Sequence, residues 1–480
     1  MVDVEVVGSG PNGLAAGVVL ARAGLSVRVH ESAATIGGGS RTLPLMEEGS
    51  VQDVCSAVHP MALASEFFTS FELNRRIGFA IPEVSYAHPL DNGRAGIAYR
   101  SLDRTVAELG ADGRAYRRLM QPLIDSRDGI LALTLNHLLR VPKNPLAAAR
   151  LAAAVLDQGS PAWNRRFRGE EAPAMLTGVM AHPVGPLPSL TAAGAGMVLG
   201  LLAHAGGWAI PVGGSQAIAD AMARDIEDHG GEILTGSRVR SLAELSGARA
   251  VLLDVSPPAL VEMARGRLPG GYARALSRFR FGNAACKVDF LLSGPVPWTN
   301  SEVARAGTVH LGGTRAEVAA AEADVNAGRH PERPYVLVSQ PSLFDPTRAP
   351  AGRHTLWTYC HVPRGSTTDM TEAITAQIER FAPGFRDLIV DSHSSTAAQL
   401  GEYNENYVGG DFGSGAVDLR QMIARPVLAA HPWATPLKGV YLCSQSAPPG
   451  PGVHGMAGFH AAKLALRREF GLGMPELGIG

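Results

Sequence analysis

The sequence predicts an α/β fold, and three stretches carry that prediction. Residues 2–31 read as strand, glycine turn, helix, strand and acid; residues 213–256 resume the alternation of helix and strand; the C-terminal segment closes with a strand, a glycine-rich loop and a helix. Long segments of mixed helical and strand character separate the three. The parallel-sheet lobe is therefore discontinuous in sequence, with an α+β lobe inserted into it. At 480 residues, 46% hydrophobic and 18% charged, the chain is globular and long enough for two cores.

Taken in order, Val2, Val4, Val6 and Val7 form a short apolar run of the buried parallel-strand kind, which stops at Gly8. "GSGPNG" then sets Gly8, Gly10 and Gly13 in G-x-G-x-x-G spacing around Ser9, Pro11 and Asn12. "LAAGVVLARAG" follows as a helix ending at Gly24, and "LSVRVHE" is a second strand whose last residue is Glu31. Gly8 permits the tight turn, Gly10 lets backbone approach a pyrophosphate, and Gly13 lets helix pack closely on strand. Amides at the helix start attract phosphate, aided by the positive dipole end. Glu31 can accept from both hydroxyls of an adenosine ribose. The unit reads as Rossmann-like and dinucleotide-binding.

From Gly213, "GGSQAIADAMARDIEDHGG" offers Ser215 as N-cap, an apolar stripe at Ile218, Ala221, Met222 and Ile226, and Gly230 as the stop. "EILTGSRVRSL" and "ARAVLLDVSP" follow as strands. These patterns assign residues 1–75, 206–265 and 431–480 to the dinucleotide-binding lobe, and residues 76–205 and 266–430 to a substrate-binding lobe. In the latter, residues 114–156 are mostly helical, with "NPLAAARLAAAVLDQ" the clearest amphipathic piece, and residues 278–293 and 353–362 read as strands. A ligand cleft is expected between the lobes.

Composition excludes several functions. A net charge of −1 gives no electrostatic case for nucleic acid. Cys55, Cys286, Cys360 and Cys443 are far apart in sequence and form no C-x-x-C pair, so buried free thiols are expected, not a dithiol centre or zinc knuckle. The fifteen histidines show no metal-ligand spacing, and no metal is expected. The longest apolar run, "TAAGAGMVLGLLAHAGGWAIPVGG", is rich in glycine and contains His204. It reads as a buried helix of small residues, leaving membrane contact at most peripheral. No signal or transit peptide precedes the first strand, so a cytoplasmic location is expected. No second G-x-G-x-x-G follows a strand, which argues against a separate nicotinamide domain.

After Glu31 comes "SAATIGGGSRT", which resembles the extension in the flavin-dependent amine oxidase and phytoene desaturase superfamily, where a glycine pair and then Arg follow the acid. "VDFLLSGPVPW", "IERFAPGFRD" and "RQMIARPVLAAHPWATPLKGVYLCSQSAPPGPGVHGMAGFHAA" resemble the phytoene-dehydrogenase-like flavoproteins. The likeness is greatest to the branch named for a pyridine-nucleotide-disulfide oxidoreductase domain, and it covers essentially the whole chain. The cysteines here do not fit disulfide chemistry. The resemblance therefore implies the fold and FAD, not a disulfide reaction. It implies a cofactor-binding set of Gly8, Ser9, Gly10, Pro11, Asn12, Gly13, Glu31, Ser32, Gly38, Gly39, Arg41 and Thr42, with the backbone at Val239 beside adenine. Gly39 stands where many relatives carry Arg, and Arg41 follows two residues later. Ser444, Gly452, Val453, His454 and Met456 complete the set at the other end of the chain. There a glycine loop would lie flat against the isoalloxazine. A helix starting at about Met456 would turn its amides to the pyrimidine edge, where negative charge collects on reduction.

Candidates for chemistry are few. In "NAACKVDFLL", alternation puts Cys286, Val288, Phe290 and Leu292 on one face, and Lys287 and Asp289 on the other. Alone, that is a solvated strand face. The segment also resembles the strand on which amine oxidases hold a water-binding lysine near flavin N5, which would give Lys287 a part in flavin reoxidation. His454 in the flavin loop and His59 in "SAVHPMALAS" are candidate bases, or simply hydrogen-bonded histidines beside the cofactor. The reading these features support is an FAD-dependent oxidoreductase of the dehydrogenase or desaturase type. It would take hydride from a largely apolar small molecule, with oxygen, a quinone or another carrier as an unspecified electron acceptor. A flavin amine oxidase is one alternative, weakened by an aromatic content of 6% and no evident closing-loop tyrosine pair. The other is a cofactor-free binding protein of the GDP-dissociation-inhibitor type, against which the intact first turn and Glu31 argue.

Overall fold

Two sheets organise residues 2–479, the part of the chain described in the computed structural model. The first is parallel and five-stranded, in the order Val440–Leu442, Ala250–Leu253, Val4–Val7, Val27–His30, Glu232–Leu234. Val4–Val7 is its centre, flanked on one side by the strand that follows it and on the other by a strand from much later in the chain. The connection reverses direction at that point, and open α/β sheets bind ligands there, at the carboxyl ends of the strands. Gly8, Glu31, Asp254 and Cys443 are the first residues past four of those ends.

Helix Pro11–Arg22 starts with proline in its first turn and stops just before Gly24, whose φ is +81°. It is clasped by two other helices. A Cβ on Gly458 of helix Met456–Ala465 would lie 1.8 Å from the Asn12 carbonyl oxygen, and one on Gly17 would lie 2.7 Å from Ile226 Cδ1 of helix Gln216–Asp228. The Ser215 capping expectation fails. Its side chain makes no cap bond; its hydroxyl donates to the Ser56 carbonyl (2.6 Å) and lies 2.7 Å from His59 Nε2. Only Glu232–Leu234 of the predicted long strand pairs in the sheet. The chain then folds back along the second strand's end, where Gly236 and Ser237 donate to the carbonyls of Ala33 and Glu31 at 2.8 Å each.

The second sheet is mixed and seven-stranded: Ile389–Ser395, Ala284–Leu292, His354–Val362, Val336–Ser339, Ala306–Leu311, Val84–Pro89, Ala95–Tyr99. Every residue of Ala284–Leu292 is buried, so the solvated face expected for Lys287 and Asp289 does not exist. Cys286, Val288, Phe290 and Leu292 enter one core, as the alternation predicts. The opposite face, carrying Ala285, Trp357 and Tyr359, is covered by Ala57 and Val58 of the first lobe. Alternation separates two faces but cannot say whether water or another lobe covers the second. The register also sets Cys286 directly opposite Cys360, a neighbour relation invisible in the sequence; both thiols are free.

Helices Gly113–Ile124, Arg127–Thr134, Pro145–Gly159 and Leu190–Ala205 supply the helical layer, the last from the long apolar run. Among the described residues, no helix is long and apolar enough to cross a membrane. A buried ionic hub ties the segments together. The Arg348 guanidinium, 1% exposed, donates to Asp53 (2.7 Å), Asp345 (2.9 Å) and the Pro211 carbonyl (3.2 Å). Burial pushes the Asp53 carboxyl up, but Arg348 and hydrogen bonds from Thr42 and Ser215 reverse this and hold it below its ordinary value.

Candidate active site

The first glycine turn is built as its spacing predicts. Gly8 has φ +97°, and a Cβ there would lie 2.8 Å from the Asp254 carbonyl oxygen; one on Gly13 would lie 2.0 Å from the Gly8 carbonyl oxygen. Ser9 donates to Glu31 Oε2 through both its amide (3.1 Å) and its hydroxyl (2.5 Å), while the Ala33 amide donates to Oε1 at 2.8 Å. Arg41 Nη2 lies 3.3 Å from the same Oε1 and donates to the Thr35 carbonyl at 2.6 Å. Ser9, Glu31 and Arg41 are therefore one network. Ser32, next along, is exposed. Gly38 lies against Gly10, its Cβ position 3.2 Å from Gly10 Cα, and the buried Asn12 Oδ1 has no hydrogen-bond partner among the described residues.

Asp254 was missed in the sequence. Its Oδ2 accepts the Gly13 amide at 3.0 Å, closing the first helix from a strand that pairs beside Val4–Val7. Burial pushes this carboxyl up to about 7, with the Gly13 hydrogen bond opposing and the nearby Glu31 adding to the rise. The available signal was a lone acid at the end of an apolar strand.

The structure also accounts for the glycine at position 39. A Cβ there would lie 1.9 Å from the Tyr407 hydroxyl oxygen, so the phenol occupies the space of a side chain. Tyr403 Oη takes a hydrogen bond from Arg41 Nη1 (3.1 Å) and donates to the Gly38 carbonyl (3.3 Å). Tyr403 and Tyr407 thus cover the glycine run, a tyrosine pair that the sequence did not reveal. Thr42 belongs to the ionic hub: its hydroxyl donates to Asp53 (2.6 Å) and accepts the Gln216 amide (3.1 Å). Val239 is half-buried against a small core, two residues past the Ser237 that bonds the Glu31 carbonyl.

The final loop is held from within. His454, 1% exposed, accepts the Met456 amide at Nδ1 (3.0 Å) and donates from Nε2 to the Gly450 carbonyl (3.2 Å). Both ring nitrogens are engaged, and burial lowers the imidazole to about 4. It is a staple of the loop with no free nitrogen for a substrate proton. Gly452 (φ +137°) and Gly455 (φ +68°) take conformations that favour glycine, and Ser444 Oγ accepts the Ser446 amide at 3.3 Å. Val453 packs on the main core. The Arg425 guanidinium braces the loop from below, donating to the carbonyls of Gln445 (2.9 Å), Gly413 and Ser414 (3.1 Å each).

Between the two turns lies a cavity of about 450 Å³. Gly39, Cys55 and Gly452 form part of one wall, and His182, Trp357 and Tyr359 part of the other. Among the described residues, no Asp, Glu, Lys or Arg lines it. The histidine that sequence reasoning missed is His182, whose Nε2 lies 2.9 Å from His310 Nε2 while its Nδ1 has no protein partner among the described residues. Burial lowers His182 to about 3 and His310 well below its ordinary value, so the pair is neutral. His59 also lines the cavity, lowered to about 4 by burial and bonded to Ser215.

Lys287 stands behind the cavity wall. It pairs across the strands with Tyr359, as Asp289 does with Trp357, and the two charged groups form a buried ion pair. Its Nζ lies 5.8 Å from the centre of the Trp357 ring. Burial pushes Asp289 up, and Lys287 counters that rise. The residue is close to the cavity but partnered.

These residues fit a bound FAD. The absence of side chains at Gly8, Gly10 and Gly13 lets the first turn pack tightly against Asp254 and itself, and the buried Asn12 Oδ1 in that turn is unpartnered among the described residues. Glu31 is the first residue past the second strand, and the last loop lines an apolar cavity. A family model described as flavin containing amine oxidoreductase matches residues 12–455. A pyridine nucleotide-disulfide oxidoreductase domain-containing protein 2 from Rattus norvegicus is 26% identical over 557 residues, covering 97% of this chain and 93% of the relative. Among solved structures, a putrescine oxidase variant aligns with a TM-score of 0.62 at 18% identity, over 97% of this chain and 99% of the other. Reduced UDP-galactopyranose mutase aligns at 0.56 and 12% identity, over 97% and 95%. At those identities the likeness is one of fold. The family match covers most of the chain, from the first helix to the final glycine loop, and the chain belongs to the flavin-containing amine oxidoreductase family.

Proposed function

We propose that the protein is an FAD-dependent oxidoreductase that takes hydride from a neutral, largely apolar small molecule and passes the electrons to oxygen, a quinone or another carrier. FAD, when bound, supplies the hydride acceptor. Gly8, Ser9, Gly10, Pro11, Asn12, Gly13, Glu31, Ser32, Gly38, Gly39, Arg41, Thr42, Val239, Ser444, Gly452, Val453, His454 and Met456 make up the proposed binding set. In it, Arg41 neutralises the Glu31 carboxylate, His454 holds the last loop in shape, and the start of helix Met456–Ala465 would offer its dipole to the cofactor, favouring its reduced, anionic form.

The observation that carries this reading is the uncharged cavity. A substrate ammonium buried there would lack a carboxylate partner, and burying an unpaired charge is strongly unfavourable. The walls instead offer apolar surface and the neutral His182, which suit an uncharged molecule. Trp357, Tyr359, Tyr407 and Phe412 around the cavity favour the second reading, amine oxidation, since such rings also pack around amines. Anaerobic mixing with matched apolar alcohols, polyenes and primary amines, followed by the flavin absorbance, separates the two. Bleaching by neutral compounds is expected; bleaching by amines alone would replace the first reading with the second.

A further inference from the structure

We propose that residues 135–146, together with the neighbouring 417–431 segment, form a docking face for an anionic lipid bilayer. Lipid phosphates would be received by a basic pocket at the loop's base. The docking face does not depend on the redox chemistry; only its link to substrate supply rests on the apolar-substrate reading.

The loop interleaves apolar and basic residues in "LNHLLRVPKNPL", and Pro142 and Pro145 keep helix Arg127–Thr134 from running on through it. Its tip is exposed in an unusual way: Val141 is 86% exposed, Leu146 59% and Leu139 51%. Single exposed apolar residues are ordinary, but two in one short loop with a third in the first turn of the helix that follows, Pro145–Gly159, are not. Leu419 (52% exposed) and Leu428 (69%) extend the apolar surface on the facing segment.

Beneath the tip is a pocket of about 300 Å³ into which Arg140, Lys143, Lys463 and Arg467 converge. The chain has only four lysines, and two of them are here. None of the four cations makes an ion pair among the described residues, although they converge on one pocket. One carboxylate, Glu66, lines the pocket. The cluster is packed tightly enough that Arg140 and Lys463 both act on His460, whose Nε2 donates to the Leu135 carbonyl at 3.1 Å and ties the loop to the last helix. Unpaired cations around an apolar tip match a negatively charged headgroup layer, each basic residue near such a surface being worth about 1 kcal/mol.

The inner side of the same loop points to the purpose. Leu135 and Leu138 line the cavity, as do Leu419 and Met422 of the facing segment. A bilayer against the tip would therefore lie beside the cavity wall, where an apolar substrate could pass in without crossing water.

The test uses the purified holoprotein in flotation with vesicles of phosphatidylcholine alone, or with about one-third phosphatidylglycerol. Binding to the anionic vesicles is expected to be about tenfold or more the stronger, and to fall with added salt. Val141→Asp is expected to weaken it about tenfold, and so is the pair Arg140→Glu and Lys143→Glu, with the flavin spectrum unchanged. Folding is little at risk, because these side chains are exposed or partly exposed at a loop tip. Equal binding to both vesicle types, or none to either, would overturn the proposal. So would full anionic-vesicle binding by Val141→Asp, which would mark a charge effect without insertion. Saturable binding of inorganic phosphate without vesicle binding would also overturn it, in favour of a soluble anion.

Discussion

The two glycine-rich turns that flank the apolar cavity are held in opposite ways. The first, at Gly8–Gly13, is closed from outside: Asp254 arrives from a strand 241 residues away to accept the Gly13 amide. The last, before Met456, is closed from inside, since His454 bridges Gly450 and Met456 within its own loop. Glycine spacing reveals both turns but not what shuts them. A turn shut from outside should fail when its distant partner changes; one shut from inside should lose shape while the sheet survives.

The largest effect is expected where helix and strand touch. A side chain at residue 13 must displace backbone, because its Cβ would lie 2.0 Å from the Gly8 carbonyl oxygen. Gly13→Val should therefore yield no folded, flavin-bearing protein, as judged by circular dichroism and absorbance. Next comes Lys287→Met, which leaves Asp289 buried without its cation. The loss should be about 3–5 kcal/mol in denaturant unfolding, with most of it recovered when Asp289→Leu is added. If the double variant also reoxidises its flavin at the wild-type rate, Lys287 is structural; a slow rate in a stable double variant keeps it in the chemistry.

The Asp254 closure carries a pH signature. Its folded-state value, about 7, lies above the ordinary 3.8, so the folded chain binds a proton that the unfolded chain has released. That contribution is fully present below about pH 4 and is lost as pH rises through 7, on the order of 4 kcal/mol in all. Asp254→Asn keeps an acceptor for the Gly13 amide and should flatten this slope in Tm measured across the window. An unchanged slope would assign it to other groups. The smallest effect is expected at the self-stapled turn. His454→Phe removes two hydrogen bonds inside one loop, about 1–2 kcal/mol, and should weaken FAD binding about tenfold with little change in the sheet's unfolding.

The same contrast explains what could be read in advance. The first dinucleotide unit, the long buried helix Leu190–Ala205 and the strand Ala284–Leu292 were legible, because each is written in local periodicity or glycine spacing. Asp254, the Tyr407 phenol that fills the space at Gly39, and the His182–His310 pair were not, because each depends on strands and loops far apart in sequence meeting in space. Lys287 misled for a related reason: its strand alternates as a solvated one does, yet the other lobe covers the face. Ser215 looked like a helix cap and is instead a partner of His59 and Ser56.

The central claim is that the two turns together hold FAD. The measurement that tests it most directly is the visible spectrum of the purified protein, followed by denaturation and identification of what is released. A flavin spectrum with close to one FAD freed per chain is the expected result. A colourless protein that cannot be reconstituted with added FAD would contradict the claim and leave the cleft as the binding site of a cofactor-free protein.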